Sequence, residues 1–253
     1  MLDRQLFDDG VEIGGHGAVA IEDGKPYFMG AGFEPPDGLS DKAVQLTGSV
    51  AETLATQVNP VRPWVAIRGR WRGRGIELTD AEILDRSPVP GESVDRPAVP
   101  CDAPSGGWVG HPNPRKEWTD EEKELRSSGV VVSRTSVEIE DGSYVFVFLV
   151  SDRAAATAVL HQLYDANSIC VTLARWTADT QRETMRALID PSSPWSDILF
   201  GFGQSPDAEG QNHIVAEPLA VTGELERWLR DQPDGLVELH PALWKLVQSI
   251  DRL

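Results

Sequence analysis

No stretch of this sequence is long and apolar enough to cross a bilayer. The longest strongly apolar run, Tyr144–Val150, has 7 residues, against the ~20 that a spanning helix needs. The opening residues, MLDRQLFDDGVEIGG, contain no apolar core of a signal peptide, so no secretory leader is expected. Cysteine is scarce. Cys101 and Cys170 are the two present, too few for a disulfide scaffold, and without export both are expected to stay reduced. The sequence also lacks HExxH, an EF-hand loop, a P-loop and the GxGxxG dinucleotide fingerprint, so no metal or cofactor is expected.

What is abundant is negative charge. Asp and Glu number 40 against 23 for Lys and Arg, a formal net charge of −17. Such a surface repels nucleic acid and anionic membranes and suits a basic partner. At 253 residues, 40% hydrophobic and 25% charged, the chain fits one large globular domain or two small ones. The expectation is a soluble cytoplasmic protein that binds neither nucleic acid nor membrane.

Composition divides the chain near residue 118. Residues 1–118 hold 12 of the 18 Pro and 16 of the 23 Gly, which predicts short strands and loops. A hairpin is expected where GAVAI (17–21) and PYFM (26–29) flank Asp23-Gly24. A helix is expected over 40–58, and the Pro-rich stretch 87–108 reads as a long irregular connection. Beyond 118, TDEE (119–122) is a capping box. Strands at 130–139 and 143–150 form a hairpin around Asp141-Gly142, and helix 152–164, strand 168–174 and helix 177–190 follow. Strands at 198–203 and 212–221, a helix at 222–231 and a strand at 236–240 complete the pattern. Residues 119–253 therefore read as one α+β sandwich of the ferredoxin-like kind: a mixed sheet with its helices on one face, after a β-rich N-terminal region. Phe146, Phe148, Leu160, Leu163, Ile169, Val171, Leu188, Ile214 and Leu229 should form its core. No repeat with a period of 20–50 residues is visible.

FVFLVSDRAAATAVLHQLYDANSICVTLA (146–174), the helix at 178–189 and the tail 210–243 resemble a family of soluble actinobacterial proteins without an assigned activity. GGHGAVAIEDG (14–24), GRW (69–71) and VPCDAPSGGW (99–108) match it more loosely. FGFGQSPDAEGQNHIVAEPLAV (200–221) is similar to the last hairpin of bacterial serine-protease prodomains. These resemblances imply a fold and no reaction.

One segment opposes the global charge. RPWVAIRGRWRGRG (62–75) has five Arg and no acid. In a strand, Arg68, Arg70, Arg72 and Arg74 share one face, and Trp71 lies on the other. Such a row could grip a phosphate or carboxylate, with Trp71 nearby for stacking, or could pair with the protein's own acids. Cys101, ten residues before His111, is a candidate nucleophile on paper, but a packing role fits it better. GGHG (14–17) reads as a bulge or turn, and none of the five His is spaced as a ligand pair. The reading that follows is a non-catalytic acidic cytoplasmic protein that binds a basic partner. The alternative is an enzyme or sensor holding a small anion at Arg68, Arg70, Trp71, Arg72 and Arg74. Oligomeric state is not legible.

Overall fold

The computed structural model describes residues 5–30, 42–58, 63–85, 98–114, 117–207 and 209–246. Most of the first part of the Pro-rich connection lies outside them. The chain opens with β1 (Glu12–Glu22) and β2 (Lys25–Met29). Both turn residues between them have positive φ, Asp23 at 49° and Gly24 at 73°, as a type I′ turn requires. The helix expected over 40–58 is instead β3 (Val44–Thr47) followed by α1 (Ser49–Gln57). Gly48, at φ 92°, makes the break that lets Val44 and Leu46 point inward as strand residues while Ala51 and Leu54 pack as helix residues. β4 (Trp64–Arg72) and β5 (Gly75–Leu84) follow.

These strands close on themselves. β1 pairs antiparallel with β2 through residues 18–22 and with β4 through residues 12–18, while β3 lies parallel to β5. The resulting order, β1-β2-β3-β5-β4 and back to β1, with a helix between the third and fourth strands, is an OB-type Greek-key barrel. Ile13, Val19, Phe28, Ile67, Trp71 and Ile76 fill its interior. The GGHG motif is neither bulge nor turn but part of β1, where the backbone runs close to its neighbours. A Cβ on Gly17 would lie 2.1 Å from the Met29 carbonyl oxygen.

Beyond the barrel the same unit is built twice. After α2 (Asp120–Ser127), β6 (Val131–Glu138) and β7 (Tyr144–Val150) form an antiparallel pair, and α3 (Arg153–Leu163) crosses over to β8 (Ile169–Leu173), parallel to β7. After α4 (Ala178–Ile189), β9 (Leu199–Pro206), β10 (Asn212–Pro218), α5 (Gly223–Arg230) and β11 (Val237–Leu239) repeat that plan. The register repeats with them. Ser151 N donates to Val130 O and Leu219 N to Ile198 O; Phe146 N donates to Ser168 O and Ile214 N to Leu236 O; Ala174 N donates to Val150 O and Ala242 N to Pro218 O. Each second bond lies 68 residues after the first (130 to 198, 168 to 236, 150 to 218).

The class is mixed α and β, with five helices among the described residues. The strands of the second half, however, form two separate three-stranded mixed sheets rather than the single ferredoxin-like sheet expected. The cause is α4, which follows β8 and starts a new unit instead of returning β9 to the first sheet. Of the nine core residues expected, Phe146, Phe148, Leu160, Ile169, Val171, Leu188 and Ile214 are buried, while Leu163 and Leu229 are half-buried.

Two connections cross the division expected at residue 118. β12 (Leu243–Lys245) pairs with β1 through residues 13–15. In the other direction, residues 98–111 lie on the β6–β8 sheet. Val109 N donates to Asn167 O, His111 bridges to Tyr144, and Val99 and Trp108 pack against Val137, Val145 and Val147. Cys101 and Cys170 are joined there in a disulfide, which corrects the expectation of two reduced thiols: the fold carries the connection directly over the strand that holds Cys170.

The bond closes a loop spanning 69 positions. Loop-closure entropy at that length gives about 4 kcal/mol. Urea unfolding with and without dithiothreitol should show a loss of that order, and the unreduced protein should offer no thiol to Ellman's reagent even when denatured.

Candidate functional site

The arginine row runs along the outer face of β4. Alternation turns Val65, Ile67, Gly69 and Trp71 inward, leaving Arg68, Arg70 and Arg72 exposed. Trp71 is wholly buried, packs edge-on against Phe7 with ring centroids 5.4 Å apart, and donates its indole N–H to Gly73 O. It offers no face to a ligand beside the row. Carboxylates reach Arg70 and Arg72. Arg70 meets Glu12 at 3.4 Å, and Arg72 meets Asp9 and Glu77, each at 3.2 Å. The Gly73 backbone N–H, and with it Arg72, holds the Asp9 carboxyl below the usual range. Arg74 sits in the β4–β5 turn. Arg68 stands opposite Asp80 and lines a cavity of about 470 Å³ with His16, Trp244 and Glu82.

The Cys101–His111 idea ends with the disulfide, which leaves no thiol to activate. The His111 ring instead stacks on Phe146 at 4.5 Å. His213 and His240, far apart in sequence, meet on one carboxylate. His240 Nε2 lies 2.7 Å from Glu238 Oε1, and His213 Nε2 approaches Glu238 Oε2 to 2.9 Å without hydrogen-bond alignment. His240 holds Glu238 below the usual carboxylate range. Among the described residues no grouping of His, Cys, Asp and Glu could hold a metal ion.

Two further cavities stand out. The larger, about 780 Å³, lies between residues 98–108 and the β6–β7 hairpin. Val99, Trp108, Val137 and Ile139 give it an apolar lining, and Glu138, Glu140 and Asp141 add three acids. The Ser143 hydroxyl and amide both donate to Asp141 and hold its carboxyl below the usual range.

The second, about 400 Å³, is bounded by α2 and β6 of the first unit and by α4, β9 and β10 of the second. Its lining includes Arg126, Arg134 and Arg182 and no acid among the described residues. Arg134 is fixed between the rings of Trp118, at 4.5 Å, and Phe146, at 5.1 Å. Behind it, the wholly buried Glu122 accepts from Arg134 at 3.0 Å, from the Tyr164 hydroxyl at 2.8 Å and from Thr119 N at 2.6 Å. The capping carboxylate foreseen from TDEE is thus also the counterion of a buried arginine. Burial, and then the Glu122 carboxylate, push the Tyr164 phenol well above its usual range. Sequence reasoning missed this cleft because its arginines are scattered at 126, 134 and 182, with no local run to signal them.

Comparison of the chain with protein-family models, curated proteins and solved structures returned no match.

Removing the buried cation should be far costlier than thinning the row. Arg134→Met leaves Glu122 buried without a counterion and should cost ~3–5 kcal/mol in urea unfolding, whereas Arg70→Gln should stay within ~1 kcal/mol. Tyr164 binds its proton more tightly folded than unfolded. Its contribution is therefore complete below pH ~10 and lost as pH rises beyond that toward the folded value. Tyr164→Phe, weaker at neutral pH through the lost hydrogen bond, should show a shallower alkaline decline.

Proposed function

We propose that this is a non-catalytic interaction protein that receives a basic, partly apolar segment of another protein in the groove between residues 98–108 and the β6–β7 hairpin. One observation carries the reading: the cavity of about 780 Å³ combines an apolar lining with Glu138, Glu140 and Asp141, in a chain of net charge −17. Apolar contact supplies affinity there, and charge supplies steering and selectivity. The alternative of an enzyme or sensor with an anion at Arg68–Arg74 loses support, because Arg70 and Arg72 already meet internal carboxylates.

OB-type barrels commonly bind nucleic acid on the face of their second and third strands. Here Tyr27 and Met29, the outward residues of β2, are buried, which argues against a stacking platform on that strand. No helix is long and apolar enough to cross a membrane among the described residues. The cytoplasmic location expected from the sequence goes with reduced cysteines. The Cys101–Cys170 bond fits an oxidising compartment better.

A fluorescent eight-residue peptide of alternating Lys and Leu is a suitable probe. Its anisotropy should report saturable binding at low salt that weakens as salt is raised. Glu138→Gln combined with Glu140→Gln should weaken binding at least threefold, while Glu226→Gln combined with Asp231→Asn should leave it unchanged. Equal losses from both pairs would reduce the groove to part of a diffuse acidic surface and sink the proposal.

A further inference from the structure

The cleft between the two repeated units differs in charge from the rest of the molecule. In a protein with a surplus of 17 acids, three arginines line it and no described acid does. Two of the three are balanced from outside the cleft. Glu122 lies behind Arg134, and Asp179 contacts Arg182 on the surface of α4. Arg126 is held differently, with its guanidinium 5.1 Å from the centre of the Trp118 ring. A cation resting on an indole keeps its charge and its hydrogen-bonding edge. The cleft therefore carries roughly one unit of positive charge that its own acids do not cancel.

Its remaining polar groups have ligand character. The Ser133 hydroxyl oxygen is buried at the wall with no hydrogen-bond partner among the described groups, a state that normally carries a cost. Gln181 and Asn212, both lining the cleft from the second unit, are buried polar side chains. Gln181 is already oriented by a hydrogen bond from Gln204. The volume lies within the range of roughly 300–1,000 Å³ typical of small-molecule sites.

We propose that the cleft between the two repeated units binds a small solute through an oxyanion, a phosphate or carboxylate group, with Arg126 as the charged anchor and Ser133 as a donor. Gln181 and Asn212 contact the uncharged remainder of the ligand. This site is distinct from the groove over Cys101 and does not depend on it.

Inorganic phosphate and acetate are the probes, each titrated against sodium chloride at matched ionic strength, with tryptophan fluorescence and melting temperature as readouts. At least one oxyanion should give a saturable response that chloride does not. Saturation by phosphate alone identifies a phosphoryl ligand, and saturation by acetate alone a carboxylate. Arg126→Gln should weaken that binding tenfold or more. Ser133→Ala should weaken it several-fold without lowering the melting temperature of the unliganded protein, since the hydroxyl has no partner to lose. Arg70→Gln should bind as the wild type does. Failure of both anions to saturate would overturn the proposal, as would an unchanged Arg126→Gln. Binding lost in Arg70→Gln but kept in Arg126→Gln would return the anion to the arginine row.

Discussion

Strand β1 is hydrogen-bonded on both edges. One edge runs along β4; the other is shared, first by β12 and then by β2. That double engagement closes the barrel and anchors the far end of the chain to it. It is possible because Gly15 and Gly17 have no side chain where the backbone crowds Ala242, Leu243 and Met29. The barrel interior and the helix-covered side of the β9–β11 sheet then share one hydrophobic cluster. A cluster spanning both sides of residue 118 makes their relative placement a matter of packing rather than of a linker.

The two repeated units separate what main-chain geometry specifies from what side chains specify. Hydrogen bonds recur at a spacing of 68 residues, yet the strands that carry them read YVFVFLV and NHIVAEP. The first unit is apolar on both faces and lies beneath the disulfide-held connection. At the position equivalent to Cys170 the second has Glu238, flanked by His213 and His240. The side chains differ on a ladder that is the same.

This explains what could be read in advance. Asp23-Gly24, the capping box at Thr119 and the apolar periodicity of 146–171 are local signals, and each lies where its physics places it. Barrel closure, β12 and the repeat depend on pairings between distant residues that leave no periodic trace. The arginine row shows the same limit from the other side. Parity correctly separated Trp71 from the arginines, but a dense run of charge drew attention to a surface met by its own acids. The sparse arginines at 126 and 134 converge on one tryptophan only after α2 and β6 fold together.

The engagement of β1 also has a consequence for synthesis. Ile13 pairs with Lys245 and Gly15 with Leu243, so that stretch of β1 stays open during synthesis until nearly all the described chain has followed. Pairings so distant in sequence slow folding, and an unpaired edge invites association with other chains. Until β12 has been made, residues 13–15 of β1 present an open edge, and a chaperone acting on the nascent chain would find a target there.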